Sequence, residues 1–548
     1  LSGALEEYTT SKSQQEITAL MNLQPRKAQR LTANEELEEI AVTDLKINDR
    51  VFVPKGGTIP IDGYLESQQA TVDEATLSGE SVPVEKVPHD ELFAGTINRG
   101  NPLILQVTKK SDETVFAKII QLVEKAQSTP TKTASFISRI ENTYVKGVLV
   151  VVPLMILVSY FIFGWSFQES FYRGMVLLVV ASPCALIASA TPATLAALSN
   201  AARNGVLIKG GLHLEQLADL KAIAFDKTGT LTKGKPIVTD SYFVKDQNLA
   251  QQILVSMEQK TTHPLAQVIV THFDIAIPKD IQKLLIEEIT GFGLRTVYQE
   301  AQWIVGKWEP EKTSIAEKEL LDKIHLLEQQ GKTVIVLTKD NQLIALIGLL
   351  DVPKENAQQV IDYFNNQQID TSMITGDNQG TAAAIAEKIG VQHLLANCTP
   401  SDKTHYAQQQ KEKYTVTAMV GDGVNDAPAL ATASLGVAMG QGTDVAMEIA
   451  DIVLVKNDLQ KLSYAHRLSL RMKKIIKQNI IFSLTVICLL ILSNFLQFLN
   501  LPLGVIGHEG STILVILNGL RLLKPLPEDT SKKSRCTGCP LQPNHHSI

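Results

Sequence analysis

Residues 221–230 read KAIAFDKTGT, an apolar segment that ends in Asp226 and continues into a Thr/Gly turn. Short apolar runs bounded by turn residues are typical of strands buried on both faces. TSMITGDN at 371–378 and TVTAMVGDGVNDAP at 415–428 have the same form. One such segment alone is compatible with an ordinary turn, but three favour an open α/β sheet whose strands carry polar residues at their carboxyl ends, where ligands bind.

These strand ends carry the residue types needed for phosphoryl transfer. A carboxylate at Asp226 can attack the γ-phosphorus of ATP and form an acyl phosphate. A divalent cation is needed to screen the approaching charges, and we expect Asp422, Asp426 and the main-chain carbonyl of Thr228 to hold Mg²⁺ beside Asp226. We also expect two residues to contact the phosphoryl oxygens: Thr375, by a hydrogen bond, and Lys403, by its charge.

Four apolar runs place this sheet in a membrane protein. Each is close to the ~20 residues that a helix needs to cross hydrocarbon; they are Val145–Trp165, Phe171–Ala193, Ile480–Phe498 and Val505–Leu523. One run alone is also compatible with a buried core helix, but pairs on both sides of a polar middle favour spans. Five scattered cysteines form no disulfide framework, which indicates cytoplasmic soluble domains. The net charge of −6 gives no basic surface for nucleic acid.

The second run contains ASPCALIASATP at 181–192, where Pro183 interrupts a helix. Membranes tolerate such a break where it faces protein or a cavity, and broken helices mark transport sites. Cys184, as a thiolate, prefers late transition metals. His508 and Glu509 lie in the otherwise apolar last run, where a functional role is the default interpretation. We therefore predict that Cys184, His508 and Glu509 bind a divalent transition metal.

The motifs DKTGTLT (226–232), TGDN (375–378) and GDGVNDAPAL (421–430) resemble the phosphorylation-domain signatures of P-type ATPases. The resemblance covers essentially the whole chain, and DKTGT is far more specific than the short motif of the haloacid-dehalogenase (HAD) phosphatases. It implies a multi-domain membrane protein with an α-helical transmembrane bundle and a mostly-β actuator domain. It also implies a Rossmann-like α/β (HAD-type) phosphorylation domain with an inserted α+β nucleotide-binding domain.

The resemblance divides the chain into consecutive units. We expect a helix leaving a membrane span that precedes this sequence (1–24), the actuator domain (25–130), a transmembrane hairpin (143–199), the phosphorylation domain (212–242 and 347–468), the nucleotide-binding domain (243–346), a C-terminal transmembrane pair (475–523) and a flexible tail (524–548). Within the actuator, SGES at 78–81 resembles TGES, which implies that Glu80 positions the water that hydrolyses the aspartyl phosphate.

The insertion carries features of the nucleotide-binding domain of heavy-metal (type IB) members. THPLA contains a His-Pro pair of that kind, and the segments GFGL and VGK match the domain's glycine positions. The implied nucleotide contacts are His263, Pro264, Gly291, Gly293 and Gly306. The acidic residue usual before the His-Pro pair is Thr262 here, so Glu258 is our candidate for the missing carboxylate.

The membrane motifs narrow the cargo. Ser-Pro-Cys at 182–184 with His-Glu-Gly-Ser-Thr at 508–512 resembles the cobalt/zinc-type subgroup, whereas copper exporters and zinc/cadmium/lead pumps carry Cys-Pro-Cys. This implies export of Zn²⁺, Co²⁺ or Cd²⁺, or of Fe²⁺ or Ni²⁺. It adds Thr512 to the candidate ligands, together with Ser182, whose hydroxyl either binds the metal or has a structural role.

Two questions stay open at this point. The tail contains Cys536, Cys539, His545 and His546, whose spacing would allow a Zn²⁺ or Co²⁺ site, although a disordered tail is favoured. The rival functions are a HAD-type phosphatase on a membrane anchor and a metal sensor without transport. The phosphatase does not explain SGES, the broken span or the His-Glu pair. The sensor would be distinguished by whether further apolar spans are encoded upstream of this sequence. We expect a monomer in the plasma membrane, in contact with the lipid bilayer.

Overall fold

The computed structural model describes residues 25–526, except residues 26, 33, 68, 75–82, 115–116, 118–130, 235, 245, 262–263, 290–292, 308–317, 378 and 441–443. Several sequence predictions therefore lie outside the described residues. They are the helix at 1–24, Glu80, His263, Gly291 and the tail residues Cys536, Cys539, His545 and His546.

The first domain is mostly β, as predicted. Its strands are β1 (Lys27–Leu31), β2 (Leu37–Ala41), β3 (Arg50–Val53), β4 (Gly63–Leu65), β5 (Ala70–Asp73), β6 (Val84–Lys86), β7 (Glu91–Leu92), β8 (Ile97–Asn98) and β9 (Leu103–Val107). They form a six-stranded sheet in the order β2-β1-β3-β9-β4-β7 and a three-stranded sheet in the order β6-β5-β8. Alternate side chains such as Val51 and Val53 are buried between them, since neighbouring residues of a strand point to opposite faces.

The first membrane pair contains a helix with two interruptions. Its helices are α1 (Lys132–Phe161), α2 (Phe167–Val180), α3 (Cys184–Ile187) and α4 (Thr191–Arg203). The second span runs from Phe167 to Arg203, and its helix stops at 181–183 and again at 188–190. The first interruption is the one predicted from Pro183. The helical segment α1 begins before the predicted limit of 143.

The chain then enters the phosphorylation domain and leaves it for an insertion. The elements in this part are β10 (Val206–Ile208), α5 (Gly211–Leu217), β11 (Ala222–Asp226), β12 (Ile237–Phe243), α6 (Gln247–Glu258), α7 (Pro264–Phe273), α8 (Lys279–Gln282), β13 (Glu287–Ile289), β14 (Gly293–Tyr298), β15 (Ala301–Lys307), α9 (Lys318–Gln329), β16 (Thr333–Lys339) and β17 (Gln342–Leu350). The insertion has an antiparallel sheet in the order β12-β17-β16-β15-β14-β13. It extends beyond the predicted limits of 243 and 346, because β12 pairs with β17 from Ile237 opposite Leu350 onward.

The phosphorylation domain is a doubly wound sheet, as predicted. Its remaining elements are α10 (Ala357–Asn366), β18 (Asp370–Ile374), α11 (Gln379–Ile389), β19 (His393–Leu395), α12 (Pro400–Lys413), β20 (Thr417–Gly421), α13 (Ala427–Thr432), β21 (Leu435–Met439), α14 (Asp444–Ile449) and β22 (Ile452–Leu454). The strand order is β10-β22-β21-β20-β11-β18-β19. The central strand β11 is parallel to both β20 and β18, so the carboxyl ends of these three strands meet at one edge.

The second membrane pair comprises α15 (Gln460–Phe495) and α16 (Leu501–Leu520). The helix α15 is continuous through the predicted boundaries at 468 and 475. Its first turns bury Leu462 and Leu468 in the same apolar core as Phe225 of β11. The described residues contain four helical spans long and apolar enough to cross a membrane, which confirms the prediction of two pairs.

Candidate phosphorylation site and membrane metal site

Three carboxylates meet at the edge of the phosphorylation sheet. Asp226 ends β11, Asp422 follows β20, and Asp426 lies in the turn before α13. One ligand atom from each lies within 4.8 Å of the others, and no other group of three or more His, Cys, Asp or Glu side chains in the described part of the chain comes so close. Asp226 and Asp426 are buried. The parallel sheet therefore brings together residues that are about 200 positions apart in the sequence.

Lys403 is a cation in direct contact with this cluster. Its Nζ donates to Asp226 Oδ1 at 2.5 Å and to Asp426 Oδ1 at 2.7 Å. It lies in the first turn of α12, which is fixed by a capping box between Thr399 and Asp402. Lys403 thus bonds to two of the three carboxylates, and Lys354 acts electrostatically on the third, Asp422. When all three carboxyl groups are ionised, the cluster keeps an excess of negative charge.

Burial and the neighbouring carboxylates change the acidity of the cluster. Burial, reinforced by Asp426, raises the pKa of Asp226 to about 7, although Lys403 opposes the change. Burial and Asp426 likewise raise the pKa of Asp422 to about 6. Conversely, the carboxylates hold the pKa of Lys403 above its ordinary value although burial disfavours its charge. Buried carboxylate oxygens with unbalanced negative charge are a donor set that suits a hard divalent cation such as Mg²⁺.

The turn after Asp226 has space only for a glycine. Gly229 has a φ of +71°, and a Cβ atom there would lie 1.6 Å from Asp422 Oδ2. The carbonyl of Gly229 accepts a hydrogen bond of 2.7 Å from Lys354 Nζ. Thr228, next to it, is exposed at the mouth of the site. Burial lowers the pKa of Lys354 to about 8. The sequence analysis did not identify Lys354, because this residue follows the insertion and is far from the other site residues in the sequence.

Thr375 and the ion pairs of Lys227 also lie near the strand ends. Thr375 directly follows β18, is only 2% exposed, and its hydroxyl accepts from the Asp377 amide at 3.1 Å. The side chain of Lys227 pairs with Asp377 and lies 3.6 Å from Asp351. The sequence analysis missed Asp351; the available signal was the DVPK segment, which returns to the sheet through a bridge between Thr232 and Pro353.

Only some of the predicted nucleotide contacts in the insertion belong to the described residues. Glu258 is buried at the end of α6, and burial raises its pKa to about 7. Gly293 and Gly306 are directly opposite each other on β14 and β15. A Cβ atom at Gly293 would lie 2.0 Å from the carbonyl oxygen of Val305, so the close approach of two strands already requires this glycine.

The broken span lies against the last helix. Ser182 Oγ and Cys184 Sγ are 2.9 Å apart across Pro183, and the short helix α3 that begins at Cys184 packs against α16. His508 on α16 is only 5% exposed. Its main-chain carbonyl accepts hydrogen bonds from the hydroxyl groups of Ser511 and Thr512.

The candidate ligands of the transported metal lie on neighbouring elements but do not form a tight cluster. Cys184 is half-buried, His508 is buried and Glu509 is half-buried. In this conformation their ligand atoms do not all lie within 4.8 Å of one another, in contrast to the three aspartates. The structure therefore places the predicted residues on packed elements but does not bring all three ligand atoms within 4.8 Å of one another.

Comparisons with known proteins assign the chain to a family. The haloacid dehalogenase-like hydrolase family matches residues 220–434, and the P-type ATPase actuator domain matches residues 22–124. A zinc-transporting ATPase of Bacillus subtilis is 47% identical over 526 residues, which cover 96% of this chain and 82% of the relative. The chain belongs to the heavy-metal P-type ATPases. The predicted family, fold class and enzyme class of this ATPase are thereby confirmed.

Other relatives of this ATPase extend the comparison. A probable cadmium-transporting ATPase of Listeria monocytogenes is 38% identical over 539 residues, with 96% of this chain and 75% of the relative covered. A crystal structure of a zinc-transporting PIB-type ATPase in an E2.Pi state has a TM-score of 0.61 and 35% identity. It covers 93% of this chain and 83% of its own chain.

Two polar residues of α15 were not singled out in the sequence analysis. In this ATPase Asn479 is only 2% exposed and Ser483 is fully buried. Asn479 Nδ2 donates to the carbonyl oxygens of Ser189 and Val515, and Ser483 Oγ donates to that of Ala185 at 3.1 Å. Sequence patterns could not show this, because the carbonyl groups belong to other helices.

Proposed function

We propose that this ATPase exports a divalent transition metal, Zn²⁺ or Cd²⁺ before Co²⁺, Fe²⁺ or Ni²⁺, from the cytoplasm across the cell membrane. The observation that carries the proposal is the span broken at Ser182-Pro183-Cys184 and packed against the helix of His508. A thiol, an imidazole and a carboxylate suit these ions better than Na⁺, K⁺ or Ca²⁺. The zinc- and cadmium-transporting relatives support the same cargo.

The chemical step would take place at Asp226. A carboxylate oxygen attacks the γ-phosphorus of ATP, the bond to the bridging oxygen breaks, and ADP leaves as the aspartyl phosphate forms. Lys403, which already bonds to Asp226, offsets charge on the phosphoryl oxygens, and the Thr375 hydroxyl hydrogen-bonds to them. Asp422 and Asp426, with the carbonyl of Thr228, would hold Mg²⁺, which screens the negative charge of the phosphate when it is bound.

Dephosphorylation and nucleotide binding rest on the motifs of the other domains. Glu80 in SGES would position the water that attacks the aspartyl phosphate. His263 and Pro264, with Gly291, Gly293 and Gly306, would surround the adenine and ribose of ATP, and Glu258 would supply a carboxyl group nearby. The resemblance to type IB members supports these roles.

The membrane site would alternate between two arrangements. Cys184, His508 and Glu509 must approach one another to bind the ion, with the hydroxyl groups of Ser182 and Thr512 beside them. Phosphorylation of Asp226 can drive release only if the two conformations bind the metal with different affinity. The wider spacing of these three ligand groups, compared with the three aspartates, is compatible with such a change. We further propose that the ATPase works as a monomer and that the Cys536–His546 tail is dispensable for turnover.

The test is metal-dependent phosphorylation of the full-length protein by labelled ATP. We expect Zn²⁺ and Cd²⁺ to stimulate labelling, with Co²⁺, Ni²⁺, Fe²⁺ and Cu⁺ compared in parallel. Cys184→Ala should remove the metal dependence, because the soft ligand is lost. Cys488→Ala is the matched control, since Cys488 is an exposed thiol on α15 and is not among the proposed ligands. A metal response that is the same in Cys184→Ala and wild type would refute the proposed site.

A further inference from the structure

The helix α15 supplies none of the candidate metal ligands, yet it touches both elements that do. Asn479 Nδ2 donates to Ser189 O at 3.2 Å, at the second interruption of the broken span. The same amide nitrogen donates to Val515 O at 3.3 Å, on α16. Both of its N–H groups are thus used, one on each neighbouring element.

The side-chain oxygen of Asn479 also has a hydrogen-bond partner. Asn479 Oδ1 accepts a hydrogen bond of 2.8 Å from Asn518 Nδ2 of α16, and Asn518 in turn accepts from Arg521 at 2.8 Å. The amide is only 2% exposed. In an apolar environment each of these groups would be costly to leave unpaired. The geometry of the three segments around Asn479 is therefore specified by its hydrogen bonds and not only by apolar packing.

Ser483 makes a similar contact one helical turn further along α15. Its hydroxyl donates to Ala185 O, the residue after Cys184, and the side chain is fully buried. The two interruptions of the span leave carbonyl groups that their own helix does not bond. Asn479 and Ser483 bond to such carbonyls near both ends of α3.

The positions of these contacts relate them to the metal site. Ser189 lies shortly after Cys184, and Val515 lies two helical turns after His508 on α16. We infer that Asn479 and Ser483 are positioning residues that set the spacing between the thiol of Cys184 and the imidazole of His508. This inference rests on the proposed function. It assigns control of metal affinity to a helix that continues into the core of the phosphorylation domain.

The test compares two reactions of the full-length protein. The first is the Zn²⁺ concentration for half-maximal phosphorylation by ATP. The second is phosphorylation of Asp226 by inorganic phosphate with Mg²⁺ supplied and Zn²⁺ removed by a zinc-selective chelator, a reaction that needs no transported metal. We expect Asn479→Leu to raise the half-maximal Zn²⁺ concentration about tenfold, because three interhelical hydrogen bonds are lost. We expect Ser483→Ala to raise it about threefold, because one is lost. Labelling by inorganic phosphate should stay within about twofold of wild type, because the strand-end site is untouched.

Matched controls and a conservative variant separate positioning from folding. Gln478→Leu and Thr485→Ala alter exposed neighbours on the same helix and should leave both reactions unchanged. Asn479→Asp keeps the size of the side chain and the bond from Asn518 but removes both N–H donors, so it should weaken Zn²⁺ activation as Asn479→Leu does.

Two outcomes would overturn the inference. If Asn479→Asp lowers both reactions in parallel, the role of Asn479 is structural. If both Asn479 variants leave Zn²⁺ activation unchanged, the bridge does not set the metal site. A wild-type protein whose phosphorylation by ATP does not respond to metal would instead overturn the proposed function itself, and this result is recognisable without any variant.

Discussion

The strand-end site and the broken membrane span are built in different ways. At the sheet edge, the parallel strands β11 and β20 bring Asp226, Asp422 and Asp426 within 4.8 Å of one another. In the membrane, Cys184 and His508 lie on packed elements but are not drawn into a comparable cluster. A site for chemistry gains from fixed geometry, whereas a transport site with the same tight geometry in every state would hold its ion.

The largest expected effect separates the two sites completely. Asp226→Asn should reduce phosphorylation by ATP to background, because the amide cannot replace the carboxylate as nucleophile. Equilibrium binding of Zn²⁺ to the same variant should persist, because the membrane site is unchanged. Asp362→Asn is the control, since Asp362 is exposed on α10 of the same domain. Labelled protein in Asp226→Asn would show that the nucleophile is another residue.

A smaller effect is expected at the membrane site. His508→Ala removes the proposed imidazole ligand and should raise the Zn²⁺ concentration for half-maximal phosphorylation at least about tenfold. Phosphorylation by inorganic phosphate in the absence of Zn²⁺ should remain, because the strand-end site does not require the metal site. His405→Ala, an exposed change on α12, should alter neither. Loss of both reactions in His508→Ala would mean that the two sites are not separable in this way.

The smallest effect concerns the charge of the strand-end site. Burial raises the pKa of Asp226 to about 7 and that of Asp422 to about 6, from an ordinary 3.8. The folded protein therefore keeps protons that the unfolded chain releases, and this contribution lowers the free energy of unfolding as the pH rises from about 4 to about 7. Mg²⁺ should offset the cost, so it should raise the thermal midpoint by about 2–4 °C more at pH 8 than at pH 5.

Thermal unfolding of the full-length protein, followed by intrinsic fluorescence with and without Mg²⁺, measures this difference. Asp422→Asn should remove most of the pH dependence of the Mg²⁺ effect, whereas Asp362→Asn should keep it. An equal Mg²⁺ effect at both pH values would contradict the proposed role of the aspartate cluster.

The strand-end site could be predicted because its residues follow local patterns. In each case a short apolar run predicts a strand, and the polar residue directly after the run marks its carboxyl end. Parallel pairing of the strands then brings Asp226, Thr375 and Asp422 to one edge of the sheet. Lys354 and Asp351 were not predicted, because a long insertion separates them in the sequence from the strand that carries Asp226. The limits of that insertion were also misplaced, since the pairing of β12 with β17 is a long-range contact with no local signal.

The membrane site was less predictable from the sequence than the strand-end site. The break at Pro183 and the polar His508 could be recognised in the sequence, since both are costly in a bilayer. The second interruption at 188–190 and the role of Asn479 could not, because an asparagine near the end of an apolar run has the same appearance whether or not it reaches another helix. Only the packing of α15 against the broken span distinguishes the two cases.

The uninterrupted course of α15 has a consequence for how the protein can vary. At 36 residues it is about 54 Å long, with Leu468 buried in the phosphorylation core and Asn479 buried between membrane helices. One residue inserted between them would rotate Asn479 by about 100° relative to Leu468, turning its amide away from the broken span. The number of residues between the two is therefore under tighter constraint than their identity, because it fixes the angular phase of the helix between the two domains.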